Sequence, residues 1–196
     1  GHDQSEGQPT GAYGHPGYTI DALNAVAALQ RHSDVNPEKI GMWGHSMGGF
    51  LTLRAMVISG DVKAGVIWAG VVASYPDMLC CWRRTGNFTP SPSSRGYGWR
   101  AGWMEQYGSP ETNPDFWGSV SANTYLAELS GPVQLHHGTS DNDVPVAFSI
   151  NLADEIEPAG GVVELYTYPN DNHNISNYFT TAMNRTIAFF DQYLKD

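Results

Sequence analysis

Basic residues are scarce in this chain: ten Lys and Arg stand against twenty Asp and Glu over 196 residues, a formal net charge of −10 at pH 7. Nucleic-acid recognition relies on clustered cations that release counterions from phosphate, so this balance argues against a nucleic-acid partner. Apolar runs are short as well. None approaches the roughly 20 residues needed to span a bilayer, and no stretch has the order of a signal peptide, so a soluble chain without a membrane span is expected, its compartment unassigned. Cysteine is limited to the adjacent pair Cys80 and Cys81. Neighbouring Cα atoms lie about 3.8 Å apart across a trans peptide, below the usual disulfide range, so two free thiols are expected. The sequence begins with Gly1, not Met.

What is present is a globular composition, 41% hydrophobic with six Trp, ten Tyr and seven Phe, which excludes a disordered chain. No charge block or low-complexity tract divides it, so residues 1–196 read as one domain. Four of the ten basic residues, Arg83, Arg84, Arg95 and Arg100, share one Gly/Ser/Pro-rich segment and read as solvated loop arginines.

Strands and helices alternate along the chain. TIDALNAVAALQRHS predicts a helix, with Ile20, Leu23, Ala27 and Leu29 on one apolar face. KIGMWGH reads as a short buried strand, SMGGFLTLRAMVIS as a helix and VKAGVIWAGVV as a second strand. Then comes a long stretch, read as irregular, from Ser74 to about Gly118; a loop of that length is uncommon unless functional, and a lid or cap over about 74–118 is expected. PVQLHHG, PVAFSINLADEIEPAGG, VVELYTYP and SNYFTTAMNRTIAFFDQYLK continue as strand, helix, strand and helix. Such alternation implies right-handed crossovers and a parallel sheet with helices on both faces, an α/β fold.

Gly44-His45-Ser46-Met47-Gly48 is a G-x-S-x-G pentapeptide between a strand and a helix, the context of a nucleophile elbow. A serine hydroxyl needs a base, an acid to orient that base, and donors for the oxyanion. In an open parallel sheet these groups gather at the carboxyl ends of the strands. VQLHHG runs into TSDNDVP, offering Asp141 or Asp143, and VVELYTYP runs into NDNHNIS, offering His173. The order Ser, Asp, His is that of an α/β-hydrolase. His136, His137 and His45 read as strand-end and elbow residues, and no metal site or organic cofactor is expected.

With GMWGHSMGGFLTLRAM, FWGSVSANTYLAELSGPVQLHHGTSDNDVPV and YPNDNHNI, the chain resembles the α/β-hydrolase superfamily. Within it, the likeness is to the catalytic domain of the prolyl oligopeptidase family and related esterases. The resemblance covers Tyr18 to the C-terminus and is weakest between Ser74 and Tyr107. It implies Ser46 as nucleophile and His173 as base, and a G-x-x-D-x-x-V-P pattern over Gly138, Asp141, Val144 and Pro145 implies Asp141 as the acid, with Asp143 second. It also implies the backbone N–H of Met47 as one oxyanion donor. The family carries further strands before this point, and GHDQSEG resembles the truncated start of an oxyanion loop, with Asp3 where glycine is usual. The chain is therefore expected to be the C-terminal part of a longer hydrolase, completed by an N-terminal polypeptide or a swapped dimer partner, because the strand ending at Gly44 would otherwise expose an apolar edge.

The expected function is hydrolysis of small carboxylic esters through an acyl-enzyme, since esters need little leaving-group assistance. A prolyl oligopeptidase-type peptidase is the alternative within catalysis, and a non-catalytic binding module of the same fold the alternative outside it. His45 beside the nucleophile, and Trp82, Trp99 and Trp103 in the lid, are candidates to contact substrate.

Overall fold

The computed structural model describes residues 6–8, 11–82 and 97–195. Arg83, Arg84 and Arg95 of the expected basic segment, and most of the GHDQSEG opening, lie outside the described residues.

Four strands form a parallel sheet in the order β1 (Ile40–His45), β2 (Val62–Trp68), β3 (Val133–Gly138) and β4 (Val163–Tyr168). All three pairings are parallel, with Trp43 opposite Val66, Ile67 opposite Leu135 and Leu135 opposite Leu165. The crossovers carry helices α2 (Met47–Ile58) between β1 and β2, and α6 (Ala147–Ile156) between β3 and β4. The terminal helices are α1 (Gly17–Gln30) and α7 (Phe179–Leu194).

Both faces of the sheet are covered, and the strand period of two decides what each helix meets. Ala64, Val66 and Trp68 of β2 pack with Tyr168, Ala182 and Phe189 on the α7 side. On the other face, Ile67, Val133 and Leu135 join Phe50, Leu53 and Met56 of α2 and Phe148, Leu152 and Ile156 of α6. β3 is buried along its whole length. Burial on both faces is why β2 reads as a nearly continuous apolar run.

The segment expected to be irregular is instead substantially helical. It holds α3 (Tyr75–Cys81), α4 (Tyr97–Tyr107) and α5 (Pro114–Val120), followed by a 3₁₀ segment over Ala122–Glu128. Pro76 and Pro114 occupy the first turns of α3 and α5, where a missing N–H costs nothing, and Ser74 and Asn113 cap those helices through their side chains. These starts were present in the sequence but hidden by its Gly, Pro and Ser content. Helix α1 also departs from expectation: Ile20 and Leu29 are half exposed, while Val26 is buried. Its neighbour among the helices is α2, so only the side carrying Leu23 and Val26 finds an apolar surface.

Cys80 and Cys81 are not free thiols. They are joined to each other at the end of α3, on exposed positions, where the chain leaves the helix for the extended conformation of Trp82. The Cα spacing of 3.8 Å remains that of sequence neighbours, so the bond is made by the side chains alone. Among the described residues, no helix is long and apolar enough to cross a membrane.

Candidate active site

Ser46 sits on the turn from β1 into α2 with φ 55° and ψ −115°, a backbone conformation that non-glycine residues rarely adopt. Three backbone hydrogen bonds hold it there. Its N–H donates to the Trp68 carbonyl at 2.9 Å, and its carbonyl accepts from Gly49 at 3.0 Å and Val71 at 3.2 Å. The turn is tight enough that a Cβ on Gly44 would lie 2.2 Å from the Gly48 carbonyl oxygen. Gly44 is thus required by contact, which gives the first glycine of the pentapeptide a steric reason. Met47 opens α2, and the first N–H groups of a helix have no acceptor within it.

The acid and base loops meet beside this turn. Asp141 follows β3 and His173 follows β4, and His173 Nδ1 donates to Asp141 Oδ2 at 2.7 Å. The Asp141 side chain is fully buried and His173 is 16% exposed, so the pair is shielded while the base remains accessible. Asp141 Oδ1 accepts from the backbone N–H of Asp143 at 2.8 Å and Val144 at 2.9 Å. Burial pushes this carboxyl upward, but donors from His137, Val144, His173 and Asp143 outweigh it and hold the group down at about 2.

Asp143 takes a different part. Its side chain is exposed, and its backbone carbonyl accepts from Trp82 Nε1 at 2.8 Å. Of the two candidate acids, the geometry therefore places Asp141 on the base.

His45, expected near substrate, supports the base loop instead. Its Nε2 is 2.9 Å from the His173 carbonyl oxygen, so that nitrogen carries the proton, and the two rings lie 4.6 Å apart. Two residues complete the site: His137, read from the sequence as a plain strand-end residue, and Asp171, not singled out there. His137 is fully buried, with Nε2 3.0 Å from Asp141 Oδ2. Asp171, also fully buried, accepts from the backbone N–H groups of Asn172, Asn177 and Tyr178 and from the Asn177 side chain, and so fastens the loop that carries His173. The available signal for His137 was its place four residues before Asp141, and for Asp171 its place two before His173.

His136 faces the opposite side of the sheet from His137. Its nitrogens contact the Tyr168 hydroxyl and Gln134 Oε1, both at 2.7 Å. Burial, helped by the Arg185 guanidinium, pushes it down to about 3, so it stays neutral. Donor atoms of Asp141, Asp143 and His173 lie within 4.8 Å of one another, as do those of Asp77, Cys80 and Cys81. In the first set Asp141 Oδ2 and His173 Nδ1 are already bonded to each other and Asp143 is exposed, and the sulfurs of the second are bonded to each other.

The aromatic candidates gather on the α2 side. Trp82 lies edge-on to Tyr13 at 5.2 Å, Trp99 to Tyr75 at 5.5 Å, and Trp103 stacks on Tyr75 at 5.3 Å. The Tyr75 hydroxyl donates to the Tyr13 carbonyl, and burial pushes that phenol up to about 12. Arg100 lies over both Trp82 and Trp99, 5.3 and 5.2 Å from the ring centroids. Trp82 and Trp99 are thus packed against neighbours. Trp103 also borders a cavity of 280 Å³ with Tyr13, Arg54, Tyr75 and Phe116.

The low position of Asp141 carries a stability prediction. A carboxyl depressed from 3.8 to about 2 in the folded state contributes about 2 kcal/mol above the unfolded value, and this is lost as pH falls from about 4 through 2. Urea unfolding midpoints measured between pH 6 and 2 should show that fall in the wild type. In Asp141→Asn it should be smaller; equal slopes would refute the assignment.

A parallel sheet with a strained serine between strand and helix, and an Asp–His pair following two later strands, defines the α/β-hydrolase fold. The chain belongs to the prolyl oligopeptidase family, which it matches over residues 13–196. It is 26% identical over 175 residues to the uncharacterized peptidase YtmA of Bacillus subtilis, covering 86% of this chain and 59% of that protein. A probable dipeptidyl-aminopeptidase B of Talaromyces marneffei is 25% identical over 191 residues, 90% of this chain and 19% of its own length. The chain therefore spans only part of these relatives. Among solved structures, a Mycobacterium tuberculosis puromycin-hydrolyzing peptidase superposes with a TM-score of 0.71 at 19% identity, over 93% of this chain and 26% of that one. The Pyrococcus horikoshii acylaminoacyl peptidase does so at 0.68 and 22%, over 91% and 28%.

Proposed function

We propose that the protein is a serine peptidase of the prolyl oligopeptidase type, working through an acyl-enzyme. The observation that carries the acyl-enzyme chemistry is the 2.7 Å hydrogen bond from His173 Nδ1 to the buried Asp141, beside a serine held at φ 55°. In this reading His173 takes the Ser46 proton as the hydroxyl attacks the scissile carbonyl, and Asp141 stabilises the resulting imidazolium. The Met47 N–H donates to the oxyanion. The imidazolium then protonates the leaving amine, and water, activated by the same histidine, releases the acyl group.

Peptide bonds replace esters as the proposed substrate because the family and the names of its relatives are those of peptidases. The 280 Å³ aromatic cavity beside α2 is the proposed seat for an apolar substrate side chain.

Among the described residues, nothing pairs with the outer edge of β1, where Trp43 is 47% exposed. We propose that N-terminal strands cover it, as an exposed apolar edge invites pairing. That segment would also supply the second oxyanion donor.

One assay series tests both points. The chain alone, and joined to the segment that precedes it, is offered p-nitrophenyl esters and Pro-, Ala- and Phe-based peptide anilides. Anilide hydrolysis that appears only with the preceding segment is expected. Ester hydrolysis without anilide hydrolysis would return the esterase reading, and full activity of the chain alone would remove the need for added strands.

A further inference from the structure

Asp141 is gripped from two sides, and one of the two groups has no place in the Ser-His-Asp scheme. That group is His137. Its Nε2 lies 3.0 Å from Asp141 Oδ2 and 3.0 Å from the Val144 carbonyl oxygen. Both are acceptors, so Nε2 carries a proton. Nδ1 lies 2.8 Å from the hydroxyl of Ser149, which is buried on α6, and in the neutral ring it accepts from that hydroxyl. The His137 side chain is fully buried, so no bulk water replaces it if it is removed.

The contact falls on one particular atom. Oδ2 receives both His137 Nε2 and His173 Nδ1, while Oδ1 receives only backbone N–H groups. A carboxylate oxygen shared between two donors gives less to each than it would to one.

We propose that His137 is a positioning residue of the active site: it locks the rotation of the Asp141 carboxylate toward His173 and moderates the strength of the Asp141–His173 hydrogen bond. The inference rests on reading Ser46, His173 and Asp141 as a triad. The titratable groups around this pair are Asp141 and Asp143 on the acid loop, His173 and Asp171 on the base loop, and His45 on the nucleophile turn. His45 and Asp171 are bound to other partners, namely the His173 carbonyl and the base-loop N–H groups. Among the described residues the direct polar contacts of the His137 ring are with Asp141, Val144 and Ser149.

Two consequences separate this role from simple packing. Without His137, the Asp141 carboxylate keeps its two backbone donors and His173 but is fixed less closely in rotation, so turnover falls by about 10²-fold while KM changes little. In addition, Oδ2 relieved of one donor holds the His173 imidazolium more firmly. The ascending limb of the kcat/KM profile, set by loss of that proton, therefore moves up by about 0.5 to 1 pH unit.

The test uses the full-length protein with a peptide anilide, and the rate of fluorophosphonate labelling as an independent readout, in wild type, His137→Phe, His137→Gln and His137→Asn. His137→Phe should lose turnover and shift the limb upward. His137→Gln, whose amide N–H can reach Oδ2, should return both toward wild type, whereas His137→Asn, one methylene shorter, should behave like His137→Phe and keeps the test decisive if the phenylalanine variant does not fold. A limb that is unmoved or lowered in the Phe and Asn variants, or a Gln variant no closer to wild type than Asn, overturns the proposal. Ser46→Ala separates the two levels: its full activity would refute the triad itself, whereas an inactive Ser46→Ala with an unmoved limb in the His137 variants would refute only the role of His137.

Discussion

Replacing Ser46 with alanine should lower peptide-anilide hydrolysis by roughly 10⁴- to 10⁶-fold, and His173→Ala should do nearly as much, with a double variant no worse than either alone. The non-additivity follows from chemistry. A serine without a base is a weak nucleophile, and a base without a serine has no proton to take. Three features put the expected effect at these positions: φ 55° at Ser46, the His173–Asp141 hydrogen bond at 2.7 Å, and the His45 ring that carries the serine's neighbour onto the base loop. Intact-mass analysis after fluorophosphonate treatment gives a direct check. One adduct mapped to Ser46, and none in Ser46→Ala, is the expected result. No labelling of the full-length protein would favour the non-catalytic module, and labelling at another residue would move the nucleophile.

The second large effect is expected away from the reacting atoms, at Asp171. Its carboxylate has no solvent exposure and accepts from three backbone N–H groups and the Asn177 amide. Two positive-φ residues, Asn170 and Ile175, lie in the same loop, so its shape depends on these bonds to offset an unfavourable backbone. Asp171→Ala leaves buried donors without acceptors and should cost on the order of 3–5 kcal/mol. For a chain of this size that is roughly a 10 °C fall in Tm. Activity should fall further than the lost folded fraction, because the loop carries His173. Asp171→Asn retains one carbonyl oxygen but turns an amide toward the N–H groups, so it should lie between Ala and wild type. A thermal melt of Asp171→Ala within 2 °C of wild type would refute this account.

These two loops also lock to each other. Ser140 N–H donates to the Asp171 carbonyl at 2.9 Å, and Asn170 N–H donates to the Thr139 hydroxyl at 2.9 Å. The approach is close enough that a Cβ on Gly138 would lie 2.4 Å from the carbonyl oxygens of Asp171 and Asn172. Gly138 therefore matters for a reason its place in G-x-x-D alone did not state: it lets the acid and base loops touch.

What could be read from the residues themselves was what depends on local pattern. The four segments read as strands became the four strands at Ile40–His45, Val62–Trp68, Val133–Gly138 and Val163–Tyr168, the clearest being Val62–Trp68, which is buried on both faces and so apolar along most of its length. Their alternation with helices implied a parallel sheet, and a parallel sheet places Ser46, Asp141 and His173 at the same end of three of its strands, β1, β3 and β4. The exposed sheet edge was legible too, from the position of the strand that precedes the serine. The proposed preference for peptides over esters was not, because ester and amide hydrolysis use the same three side chains.

Tertiary structure decided the rest, wherever the outcome depended on which neighbour was available. Asp141 and Asp143 stand two residues apart in one turn, and their place after the strand does not separate them; only the resemblance to G-x-x-D-x-x-V-P put Asp141 first. Asp141 turns inward because the N–H groups of Asp143 and Val144 fold back onto it and two histidines from other positions reach it, whereas Asp143 points to solvent. His136 and His137 are neighbours in sequence yet serve opposite faces of the sheet, one bound to Tyr168 and the other to the acid. Ile20 and Leu29 suited a buried helix face, but α1 meets the core only along its Leu23 and Val26 side. Hydrophobic period and turn chemistry are properties of neighbouring residues and are therefore written in the chain; burial, hydrogen-bond partnership and the choice between equivalent side chains belong to residues that meet only once the sheet has assembled.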